Sequence, residues 1–289
     1  MKILGGAVAI PMMVNDSQSY SFTYAVGAAR LALEQAGCLP SELDLIVSLS
    51  TFPNRIVDDP EIAGPRLAHP VQRDLRARNA TVFDLLDADW TLALDFAQSH
   101  CRWLGYQRAL VVRAEALADV ECVGASGFAD GAGAIVLTSG GQERRHISGY
   151  ADVGGKTFVS LDAIAAHCLD ANGRLARFES RFDVATGRFD DERGALSTEV
   201  RTVIDEMRSR VACPVDALFH ESWLSAPTSI DDGVEVVEGA PDIPSPFQLP
   251  AWLAGCVAES RRACGANRSV AALTLDVFRQ RVACSTMEV

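Results

Sequence analysis

Short apolar runs alternate with helical stripes along this chain, and that alternation restricts its fold more than any other feature. Residues 3–10 read as a strand, 20–36 as a helix closed by Gly37, and 43–49 as a second strand. Residues 81–85, 89–105 and 109–114 then give strand, helix and strand again. In that helix Trp90, Leu94, Ala97, Cys101 and Leu104 recur at helical spacing and make one apolar face. A further helix is expected over 62–76, broken or kinked near Pro70. Strands separated by helices in this way pair in parallel, because the helix carries the chain back across the sheet. The expected class is therefore α/β, a mostly parallel sheet covered by helices. "GFADGAGAIVLTS" (127–139) adds a glycine-dense turn and another strand. Gly131 and Gly133 do not make a nucleotide fingerprint, because a strand and not a helix follows them.

The second half repeats the plan more loosely. Strands are expected at 146–153, 217–220, 270–276 and 281–285, the last two paired, with helices at 196–211 and 249–264. The repetition suggests two α/β halves, 1–142 and 143–289. Residues 169–193 are polar and rich in arginine (Arg174, Arg177, Arg181, Arg188, Arg193) and are expected to run over the surface.

Bulk properties narrow the function classes. A net charge of −12 opposes binding to nucleic acid or to an anionic membrane surface. No apolar run is long enough to span a bilayer, and the opening "MKILGGAVAIPMM" has a poor shape for a signal peptide. The eight cysteines form no CxxC pair and no zinc-like spacing with the five histidines, so no metal site is expected. Buried thiols in a reducing, cytoplasmic compartment are the natural reading.

Four motifs carry a resemblance. "GFADGAGAIVL" resembles the FGDGAGAVVL signature of the β-ketoacyl-ACP synthase III family, in the thiolase superfamily. "AGCLPSELDLIVSLST" resembles that family's first crossover and second strand. "ATVFDLLDADWTLALDFAQ" sits where the family has a strand, a cysteine nucleophile and a long helix, and "DALFHES" resembles the strand ending in the catalytic histidine. Through "ELDLIVSLS", "HPVQRDLRARNATVFDL" and "GYQRALVVRAE" the N-terminal half also resembles the non-catalytic subunits of heterodimeric 2-heptyl-4-quinolone synthases. The resemblance implies a thiolase-like fold, with two pseudo-repeated α/β halves in a layered αβαβα arrangement.

It also marks departures. The position of the family's cysteine is held by Asp89. A carboxylate there is a poor acyl acceptor. Asp89 reads either as a helix N-cap, a role contributing about 1 kcal/mol, or as a chemical group. His220 matches the family histidine, vestigial or repurposed. The asparagine partner is expected near "APDIPSPFQLP" (240–250), yet no asparagine lies between Asn172 and Asn267, and Asp242 or Ser245 comes nearest. No Lys or Arg occurs between Lys2 and Arg30, where family members hold the phosphates of coenzyme A, so no cofactor site is expected in this chain.

The expected role is a degenerate synthase III-like subunit that pairs with an active, Cys-bearing paralogue, in an acyl-condensing or acyl-transferring synthase of the alkylquinolone or polyketide type. Acyl carrier protein or acyl-CoA would be reached through that partner. The expected interface comprises Val82 and Phe83 on a sheet strand and Phe52, Ile56 and Val57 on the loop "TFPNRIVDDPEIAGP" (51–65). Two alternatives stay open. One is a stand-alone thioester-acting acyltransferase, cyclase or hydrolase that uses Asp89 and His220 as an acid/base pair, with Asp87 as a substitute. The other is a scaffold that binds carrier protein without catalysis.

Overall fold

Pairing within the sheet follows one pattern twice. In a computed structural model, residues 1–11, 21–50, 67–86, 88–116, 129–139, 148–152, 182–183, 188–189, 215–222, 234–263, 267–276 and 281–289 are described. In the N-terminal half, β1 (Lys2–Ala9) lies antiparallel to β5 (Gly131–Thr138), and β5 antiparallel to β4 (Arg108–Glu115). β4 lies parallel to β2 (Leu45–Ser50), and β2 parallel to β3 (Thr81–Leu86). In the C-terminal half, β6 (Ser148–Asp152) lies antiparallel to β12 (Arg281–Glu288), and β12 antiparallel to β11 (Ser269–Asp276). β11 lies parallel to β9 (Ala217–His220), and β9 parallel to β10 (Glu235–Glu238). The register pair Lys2↔Glu288 joins the two sets into one ten-stranded sheet. Apart from it, two two-residue strands, β7 (Phe182–Asp183) and β8 (Arg188–Phe189), pair antiparallel.

The sheet is mixed, with five parallel and four antiparallel pairings among the described residues, so it is less uniformly parallel than the strand–helix alternation suggested. The link at 277–280 is too short for a crossover, so β12 turns back against β11. Apolar periodicity reports that a strand exists and which face it buries, not its direction.

Four described helices cover the sheet: α1 (Ser21–Ala36), α2 (Ala68–Leu75), α3 (Trp90–Leu104) and α4 (Gln248–Arg262). α1 and α2 share one core with one face of the first set of strands. α3 packs on β2 and β4 and also on β11 and β12, and so lies between the two sets. The core around it draws Leu45, Val47 and Val111 from the first half and Phe219, Val270 and Ala272 from the second. β1 is held on both faces. A Cβ at Gly5 would lie 2.9 Å from Ala36 N of α1, and one at Gly6 would lie 2.6 Å from Pro250 O of α4.

Each half starts its inner strand with an aspartate. Asp44 Oδ2 accepts from the backbone N–H groups of Gln107 and Arg108 at 2.8 and 3.1 Å, and Asp216 Oδ2 accepts from Ser269 N at 2.8 Å. In both cases the carboxylate ties the entry of one strand to its parallel neighbour. Gly37, at φ 63°, ends α1 in the left-handed conformation expected of it.

Pro70 does not kink its helix. α2 begins at Ala68, which puts Pro70 in the first turn, where a backbone N–H has no partner within the helix anyway. Asp84 on β3 fixes that start by accepting from Leu67 N at 3.1 Å and Ala68 N at 2.8 Å. The expected helix residues 62–66, the expected helix at 196–211 and most of the arginine-rich stretch lie outside the described residues.

Candidate functional site

The turn between β3 and α3 positions the first candidate. Asp89 is the N-cap of α3, with extended backbone (φ −88°, ψ 170°). Its Oδ2 accepts from Thr91 N and its Oδ1 from Leu92 N, both at 3.1 Å. This is the geometry in which a short carboxylate satisfies first-turn N–H groups and meets the positive end of the helix. A third donor comes from the other half of the chain: Thr274 Oγ1 on β11 lies 2.5 Å from Asp89 Oδ2. Thr274 also lies 2.8 Å from Thr91 Oγ1. Asp89 is only 4% exposed. The next residue, Trp90, is fully buried and donates from Nε1 to Pro246 O at 2.7 Å. Asp87 lies outside the described residues.

His220 ends β9 and is 1% exposed. Its Nδ1 lies 3.1 Å from Glu221 O. A carbonyl only accepts, so Nδ1 carries the proton and Nε2 is the acceptor of the neutral ring. Burial pushes the imidazole below its ordinary value, opposed by the Glu221 carbonyl and by Glu238. The ring is therefore neutral at pH 7.

Among the described residues, Asp89 and His220 bond to different partners. What joins their surroundings is β11: Leu273 is the register partner of His220, and the next residue, Thr274, bonds Asp89. Near the expected asparagine, Asp242 is exposed, and buried Ser245 is spent on Ser222 Oγ at 2.9 Å. Gln248 does the polar work there. Its Nε2 donates to Ser222 Oγ, Ala240 O and Ile243 O, and its Oε1 accepts from Ser222 N.

Sequence reasoning missed several buried polar residues. Thr274 and Thr91 are two, and the signal for Thr274 was one hydroxyl inside the apolar run "VAALTLDV". Arg113 and Glu115 form a buried pair at 3.1 Å on one face of β4, and Ser50 Oγ donates to Glu115 at 3.2 Å. The i, i+2 spacing at the end of "ALVVRAE" was the signal there.

Val82 and Phe83 lie half-buried on β3, which ends the strand order and pairs with β2 alone among the described residues. Phe83 meets Phe96 edge-on at 5.2 Å and His100 at 5.2 Å, while Phe96 stacks on His100 at 3.9 Å. Phe52, Ile56 and Val57 lie outside the described residues. Cys38, Cys101, Cys256 and Cys284 are free and buried. Burial raises the Cys101 and Cys284 thiols to about 12 and Cys256 to about 11. No described helix is long and apolar enough to cross a membrane.

No family model matches the chain. Solved structures do. 3-Oxoacyl-[acyl-carrier-protein] synthase III from Aquifex aeolicus superposes with a TM-score of 0.64 at 19% identity, over 99% of this chain and 98% of that one. The priming β-ketosynthase of the R1128 polyketide pathway gives 0.67 at 18% identity, over 100% and 95%. The chain has the thiolase-like fold of the ketosynthase III enzymes. Two curated relatives add sequence likeness. A 2-heptyl-4(1H)-quinolone synthase subunit of Pseudomonas aeruginosa is 39% identical over 110 residues, 38% of this chain and 39% of that protein. The β-ketoacyl-[acyl-carrier-protein] synthase III of Clostridium acetobutylicum is 30% identical over 184 residues, 60% of this chain and 47% of that protein. Each match spans less than half of the relative's own length.

Proposed function

We propose that this chain is a ketosynthase III-like subunit that does not carry the acyl group itself and that pairs with a Cys-bearing paralogue in a cytoplasmic synthase of specialised metabolism. The observation that carries this reading is the bonding of Asp89. Both of its oxygens are engaged by donors, at a position that the resemblance assigns to a nucleophile. An acyl acceptor needs a nucleophilic lone pair and a product that outlives water. Three donors weaken the carboxylate as a nucleophile, and the mixed anhydride it would form is short-lived in water. The described thiols are no substitute, since burial disfavours their thiolates.

The surface of β3 supports pairing. Its outer edge has no strand beside it among the described residues, and backbone groups on such an edge are matched best by another strand. The face of α3 that carries Phe96, His100 and Trp103 flanks that edge, and Trp103 is 87% exposed. An exposed tryptophan beside an open strand edge supports reading this region as a contact surface. The repeated strand pairing also supports reading 1–142 and 143–289 as two related halves.

The test is co-expression with a Cys-bearing paralogue, followed by gel filtration and native mass spectrometry. A one-to-one complex is expected, with any acyl adduct from a thioester donor on the partner. A stable homodimer of this chain, or an adduct on this chain alone, overturns the reading.

A further inference from the structure

The start of α3 carries more bonds than a cap requires. Capping uses the N–H groups of Thr91 and Leu92. The Thr274 hydroxyl has one proton, and the only acceptor chemistry at Asp89 Oδ2 directs it there, over 2.5 Å. The Thr91–Thr274 contact at 2.8 Å is then filled by the Thr91 proton. The result is a directed chain, Thr91 O–H to Thr274 Oγ1 and Thr274 O–H to Asp89 Oδ2, in which each bond polarises the next. Thr91 and Thr274 are both fully buried. A hydroxyl in the apolar interior of β11 is costly unless it is bonded, and here it is bonded on both sides.

The members of this relay belong to different parts of the molecule. Asp89 and Thr91 sit at α3, directly after β3, whereas Thr274 is on β11. Trp90 Nε1 adds a second tie from the same turn, to Pro246 O just before α4. Across β11, Leu273 is paired with His220 on β9.

We infer that Asp89, Thr274 and Thr91 form a latch that fastens the start of α3 to β11, and that this latch positions β11, and with it the His220-bearing strand β9, against the N-terminal half. The latch stands independently of any partner. It predicts that Thr274 acts through Asp89 and that its hydroxyl, not its shape, is what matters.

The experiment uses the full chain with Thr274→Val, Thr274→Ser, Asp89→Asn and the Thr274→Val/Asp89→Asn double variant. Asparagine keeps the capping role but cannot accept from all three donors. Urea unfolding is read together with hydrogen exchange. Thr274→Val lowers the folding equilibrium constant about tenfold or more, the range for a hydrogen bond to a charged group, while Thr274→Ser, which keeps the hydroxyl and loses one buried methyl, lowers it only about fourfold. The double variant is no worse than the worse single one, because both remove the same interaction. Amides of β9 and β11 exchange faster in Thr274→Val, while those of α1 and β2 keep their protection. If Asp89→Asn fails to fold, the Val/Ser pair at 274 still decides. Equal damage from Ser and Val, strictly additive effects, or unchanged exchange in β9 and β11 each overturns the latch.

Discussion

Two glycines that differ in surroundings are expected to respond to alanine with opposite signs. At Gly6 an added Cβ would lie 2.6 Å from Pro250 O and 3.0 Å from Ala254 N, both backbone atoms of α4. No rotamer change relieves such contacts. An ordinary carbon–oxygen approach is about 3.3–3.6 Å, so β1 and α4 must separate by about 0.7–1 Å. β1 cannot retreat freely, because on its other face Gly5 already brings it against Ala36 of α1. Overpacking of this kind costs about 1–3 kcal/mol, and the two-sided clamp puts Gly6→Ala at about 2–3 kcal/mol. For a chain of 289 residues the corresponding fall in Tm is about 3–5 °C. Gly255 is the control. It lies exposed in α4, with nothing within 4 Å of an added Cβ. Alanine there removes the helix penalty of glycine and stabilises by up to about 1 kcal/mol. Urea titrations report both effects as shifts of the midpoint at constant slope. The clamp on β1 is wrong if Gly6→Ala unfolds at or above the parent midpoint.

Two further outcomes follow from the site. Cys101, Cys256 and Cys284, with thiols raised to about 11–12, resist iodoacetamide at pH 8 in the folded chain and react once it is unfolded in urea; peptide mapping that finds them labelled in the native state contradicts their burial. His220 has a folded pKa below its unfolded one, so its contribution is present above about pH 6.5 and is lost as pH falls through the folded value. The parent therefore loses more stability than His220→Gln between pH 7 and pH 5, and parallel pH profiles of the two contradict the assignment.

Features set by neighbouring residues were readable without coordinates. An aspartate directly before an apolar helical stripe announced the Asp89 cap, and a glycine after the run at 20–36 announced the end of α1. Features set by distant residues were not. The start of α2, and with it the harmless place of Pro70, depends on a carboxylate from β3. The environment of Asp89 depends on Thr274, which no local pattern connects to it. The motif at 216–222 located His220, but the neutral state of its ring follows from its burial and from the carbonyl beside it.

The flank of β3, bare among the described residues, bears on how this polypeptide must be handled. The segment "TVFDLL" has no lysine, no proline and no bulge to discourage the wrong neighbour, and its aspartate is turned to the α2 start. Such a flank attracts any extended chain it meets. Yield and monodispersity of the lone polypeptide should therefore worsen with concentration.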